Sequence, residues 1–144
     1  MTEHFFDAAL RHYTDACILL QNDCPDNAVC LFANSAECVL KSLIEVYIGQ
    51  NNRSILQYGY GHKGTCLLND LYLFISNSFY ASLLNPALGL KLYDFLLPDM
   101  LFHEHPERRY AETGRFNSQD TSACKSAAEF LIQEMIEQSI DGYL

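Results

Sequence analysis

The chain has 144 residues, a formal net charge of −9, 49% hydrophobic residues and 19% charged residues. That length fits one domain, because two halves would each struggle to bury a core, and the apolar content excludes a disordered tail. The acidic balance counts against extended contact with a phosphate backbone, DNA included.

Taken in chain order, Phe6, Ala9, Leu10, Tyr13, Cys17 and Leu20 recur every three or four residues, which predicts a helix over roughly 2–21. The short polar turn Asn22-Asp23-Cys24-Pro25 follows, and a connection that short makes an antiparallel pair with the next helix the expected arrangement. The strongest stripe is Val29, Phe32, Ala33, Ala36, Leu40, Leu43, Ile44 and Tyr47, a helix over 26–49 with Pro25 near its first turn and Gly49 as its stop.

The glycine-rich run Tyr58-Gly59-Tyr60-Gly61-His62-Lys63-Gly64 reads as a loop with positive φ at Gly59 and Gly61. His62 is expected within the first turn of a third helix that carries Leu67, Leu68, Leu71, Phe74 and Ile75. Asn85-Pro86 opens a fourth helix with Leu88, Leu92, Phe95 and Leu96, ended by Pro98.

Residues 99–120 are polar and longer than an ordinary loop, which points to a functional segment or a short helix within it. Asp120 or Thr121 then caps a last helix with Cys124, Ala127, Ala128, Leu131, Met135 and Ile136. No segment alternates with period two. The expected fold class is all-α, a single antiparallel up-and-down bundle of about five helices spanning 1–144.

Cys17, Cys24, Cys30, Cys38, Cys66 and Cys124 include no C-x-x-C pair and fall mostly among apolar helical positions, so buried thiols are expected rather than a disulfide framework or a zinc site. Asn34, Glu37 and Lys41 interrupt the longest apolar stretch well short of the ~20 residues that a bilayer span needs. Met1-Thr2-Glu3-His4 lacks the basic-then-apolar character of an export signal, and a cytoplasmic protein without a membrane segment is expected.

Several residues invite chemistry. Glu37 and Lys41 share a helix face at i and i+4. On residue type alone they are expected to be an exposed pair worth about 0.3–0.5 kcal/mol, and the functional alternative sets Lys41 on a phosphate with Glu37 orienting it. His62 and Lys63, beside the free amides of a helix start, form a candidate anion site, against the plainer reading of a capping or packing histidine.

Between His103 and Arg115, Glu104, Glu107 and Glu112 balance Arg108, Arg109 and Arg115, so the segment is no basic patch. A salt-bridged docking loop and a nucleotide clamp both fit it. Tyr110 either stacks on a base or packs into the bundle. His103 and His105 flanking Glu104 are too sparse a set to lead us to expect a metal, and no cofactor is expected. Phe5, Phe6, Phe74 and Phe95 are assigned to the core. Apolar content this high in a small chain makes a homodimer the default assembly.

The run Phe32-Ala33-Asn34-Ser35-Ala36-Glu37-Cys38-Val39-Leu40-Lys41 resembles the A-x-E-x-x-x-K core of HEPN domains (higher eukaryotes and prokaryotes nucleotide-binding). Gly61-His62 resembles the G-H element that opens the family's next helix, and Glu107-Arg108-Arg109-Tyr110 resembles the R-Y element before its last one. The resemblance runs through nearly the whole chain in order.

It implies a helical bundle, often dimeric, with relatives that accompany minimal nucleotidyltransferases and others that are ribonuclease toxins. The ribonucleases carry R-x(4–6)-H, and this chain departs from that motif. Arg11 adjoins His12, Arg53 and His62 are separated by eight intervening residues, and His105 precedes Arg108. The expectation is therefore a non-catalytic module that binds a nucleotide or RNA or pairs with a nucleotidyltransferase, with Lys41, His62, Lys63, Arg108, Arg109 and Tyr110 as binding candidates and Glu37 in support. The alternatives are a divergent, metal-independent ribonuclease using His62 with Arg108 or Arg109, and a helical dimeric scaffold with only protein contacts.

Overall fold

The computed structural model describes residues 2–77 and 83–144. Among these residues there are no strands. Five α-helices are present: α1 (Phe5–Gln21), α2 (Pro25–Ile48), α3 (Gly64–Ser76), α4 (Ala87–Phe95) and α5 (Ser118–Ile140). A π-helical segment, Ile55–Tyr60, and 3₁₀ turns at Gln50–Asn52, Asp99–Leu101 and Glu107–Tyr110 fill the connections.

α2 is the centre of the molecule and packs against α1, α3 and α5. Val29, Phe32, Ala33, Ala36, Leu40, Leu43 and Ile44 are fully buried, as their spacing requires. Burial on α2 extends beyond that stripe to Ser35, Glu37, Lys41 and Ser42, so its middle is enclosed on most sides. Ser35 meets its hydrogen-bonding need by donating to the Ala9 carbonyl of α1 at 2.8 Å. Ala9 and Ala16 of α1, Leu67 and Leu71 of α3, Leu88 and Leu92 of α4, and Ala127, Leu131 and Met135 of α5 complete the interior.

The structure revises several local expectations. The 58–60 part of the glycine-rich run is helical, and of Gly59 and Gly61, both expected at positive φ, only Gly61 has it, at 56°. α3 starts at Gly64, so His62 precedes the helix instead of lying in its first turn. α4 ends at Phe95, with Leu96 in the left-handed region and exposed. Phe95 is itself 37% exposed, although its ring stacks on Phe130 with centroids 4.0 Å apart.

The cap of α5 is Asn117, three residues earlier than expected. Its side chain accepts from the Asp120 amide while Asp120 accepts from the Asn117 amide, a reciprocal capping box. At α4 the Asn85 side chain accepts from the Ala87 amide at 3.0 Å, matching the expected start.

Several bonds hold the polar 99–117 segment together and against the bundle. The Arg108 guanidinium is buried and donates to the carbonyls of Met100, His103, Leu101 and Val29. Asp26 in the first turn of α2 accepts from the amides of Gly114 and Phe116. Arg115 pairs with Glu104. The segment also lies against α3, where a Cβ on Gly64 would stand 2.4 Å from the Phe102 ring. Glycine is therefore what lets the segment lie against the helix start.

All six cysteines are free thiols. Cys124 is buried and four others are partly buried, but Cys66 is exposed, contrary to expectation. No helix among the described residues is long and apolar enough to cross a membrane.

Candidate functional site

The Glu37 carboxylate, buried in the middle of α2, gathers three partners. Its Oε1 accepts from Lys41 Nζ at 2.7 Å. Its Oε2 receives both His62 Nδ1 at 2.9 Å and His105 Nε2 at 2.7 Å. The expected exposed ion pair is instead an enclosed one, because the bundle, the 55–63 connection and the 99–107 segment all close over this face of α2.

Burial works to raise the Glu37 pKa. Hydrogen bonds from His105 and Lys41, the Lys41 charge and the His62 bond outweigh it, and the pKa falls from 4.5 to about 2. Glu37 is thus ionised at neutral pH and has no proton to share. Both histidine nitrogens must therefore be the donors, which puts hydrogen on Nδ1 of His62 and on Nε2 of His105. In the neutral tautomer this leaves Nε2 of His62 with an open lone pair.

The four side chains differ in access. Glu37, Lys41 and His105 are enclosed, while the His62 side chain is 56% exposed. The two imidazoles meet edge to face, with centroids 5.8 Å apart, and Phe102 flanks His105. Lys41 also lies over the Phe5 ring, 5.5 Å from its centroid.

A cavity of about 480 Å³ opens beside this group, lined by His62, Lys63, Gly64, Phe102, His105 and Glu107 among others. The α3 start contributes Lys63 and the first-turn residues Thr65 and Cys66. A helix start of this kind presents amide donors and the positive end of the helix dipole.

The predicted site residues divide into two groups. Lys41, His62 and the supporting Glu37 converge on one carboxylate, and His62 and Lys63 line the adjoining cavity. Arg108 is committed to four backbone carbonyls. Arg109 lines a separate cavity of about 470 Å³ with Asp23, Asp26, Cys30 and Glu112. Tyr110 is strongly exposed, with the Arg109 guanidinium 4.9 Å from its ring centroid, so it does not pack into the bundle.

Sequence reasoning set His105 beside His103 and Glu104. The structure turns it inward to a carboxylate 68 positions away. Gly64 and Phe102 were also missed, since neither carries a recognisable local signal.

No protein-family model matches the chain, and no match was found among curated proteins or among solved structures.

Proposed function

We propose that the protein is a non-catalytic binding module for a phosphate-bearing ligand, a nucleotide or the end of an RNA, seated in the cavity at the start of α3. The observation that carries this reading is the meeting of His62, Lys63 and the α3 N-terminal turn around one concave space, next to a carboxylate already balanced by Lys41. An anion there would meet amide donors and the Lys63 ammonium, with the Glu37 charge matched by Lys41 and Glu107 on the lining opposing it.

Support also comes from the residues that resemble HEPN domains. Lys41 of the same helix and His62 of another element each lie within hydrogen-bonding distance of Glu37. We read the fold as an antiparallel HEPN-like bundle on that basis, with a homodimer as its assembly and a minimal nucleotidyltransferase as a candidate partner.

The ribonuclease alternative requires His62 beside Arg108 or Arg109. Arg108 is occupied with backbone carbonyls and Arg109 lines another cavity, so this geometry favours binding over cleavage. A scaffold with only protein contacts would have no use for a cavity lined by paired histidines.

Calorimetric titration with ATP, other nucleotides and short 5′-phosphorylated RNAs tests the proposal. Binding that weakens in His62→Ala and Lys63→Ala supports it, and silence across the whole panel overturns it.

A further inference from the structure

We infer that Glu37, His62 and His105 form a binding site for a borderline divalent transition-metal ion, with zinc as the fitting choice. One carboxylate oxygen and two imidazole nitrogens lie within 4.8 Å of one another, each residue offering a single ligand atom. A mixed set of two imidazoles and one carboxylate is the donor chemistry zinc takes at sites that keep a fourth position open. His62 and His105 also line the neighbouring cavity, from which a fourth ligand would come.

The distances support the assignment. The two nitrogens stand 2.9 and 2.7 Å from Glu37 Oε2. Donors held about 2.0–2.1 Å from a tetrahedral ion sit about 3.3 Å apart. Each nitrogen thus needs to move by only roughly half an ångström from Oε2, and the two nitrogens, within 4.8 Å of each other, settle to the same spacing around an ion that takes the place of the shared hydrogens. Each imidazole then carries its proton on the opposite ring nitrogen.

The surroundings supply what a metal site needs beyond its ligands. Lys41 holds Oε1, fixes the plane of the carboxylate and leaves Oε2 as the single ligand oxygen. That same ammonium offsets the Glu37 charge, which selects against calcium and magnesium, ions held by oxygen-rich and chiefly anionic sets. His62, more than half exposed, provides the way in.

The test uses the full chain, reduced and stripped with chelator, in a Cys66→Ser background that removes the exposed thiol at the cavity rim. Zinc is titrated in competition with a chromophoric chelator, and cobalt(II) by its visible absorption. The expected result is one ion per chain, with ligand-field bands of a low-coordinate nitrogen–oxygen site and no thiolate-to-cobalt charge transfer.

His62→Ala removes an exposed side chain whose loss leaves the core intact, and it should weaken zinc binding about a hundredfold. Glu37→Gln and His105→Ala should do at least as much where they fold. Absence of stoichiometric binding, a thiolate charge-transfer band, or zinc affinity unchanged in His62→Ala would each overturn the assignment.

Discussion

Glu37 and His105 are joined by a 2.7 Å hydrogen bond across 68 positions of chain, and both side chains are almost fully enclosed. This bond fixes the polar 99–107 segment to the middle of α2. Through the same oxygen it also ties that segment to His62.

Removing the charge at Glu37 strands its partners. Glu37→Gln keeps the shape of the side chain but leaves the buried Lys41 ammonium without a counter-ion. It should destabilise the protein by about 3–5 kcal/mol in urea unfolding. Adding Lys41→Met should recover part of that loss, so the double-mutant cycle should show favourable coupling between the two residues. Simple additivity would mean that the pair does not act as a unit.

The same group sets an acid limit. The folded-state pKa of Glu37, about 2, lies below its ordinary value of 4.5. Its stabilising contribution is therefore fully present above about pH 4.5 and is lost as pH falls toward 2. The shift corresponds to about 3 kcal/mol. The stability gap between wild type and Glu37→Gln should accordingly shrink over that window, as measured by urea unfolding at a series of pH values.

Gly64 allows the Phe102 ring to lie against the start of α3. Gly64→Ala puts a methyl group 2.4 Å from that ring and should cost about 1–3 kcal/mol of stability. Phe102→Leu in the same chain should return part of it, read by thermal unfolding of the single and double variants.

Arg108 joins the 99–103 carbonyls to the Val29 carbonyl of α2 through both terminal nitrogens. Arg108→Ala should cost about 3 kcal/mol or more, because several buried carbonyls lose their donor. Arg108→Lys should rescue little, since a point charge cannot span the same set. Amide hydrogen exchange across 99–116 should speed up in both variants.

Asn117→Ala removes the side-chain half of the α5 capping box. The expected loss is about 1 kcal/mol with no change at the Glu37 cluster, checked by unfolding and by the His62 ring resonances.

How much of this was readable beforehand depends on the range of the interaction. The α2 stripe from Val29 to Ile44 was legible because helical burial repeats locally and α2 meets neighbours on several sides. The start of α5 was placed late because Asn117, Asp120 and Thr121 are all cap-type residues, and only the reciprocal bonds show that Asp120 is the inner half of the box. The 3₁₀ turns in 99–110 carry no long period that could reveal them.

The pairing of Glu37 with Lys41 was visible at i+4, but its burial was not. Burial comes with the segments that carry His62 and His105, 25 and 68 residues away, as they close over the helix. No local pattern announces such a convergence.

The cavity beside α3 has one stiff wall and one soft one. Phe102 leans on a glycine and His105 is locked beneath it, so the floor should behave as part of the core. His62 is anchored by one ring nitrogen, meets the edge of His105 and is otherwise more than half exposed, which makes it the softer wall. Nuclear relaxation should find the His62 ring turning more freely than that of His105, whose side chain is enclosed.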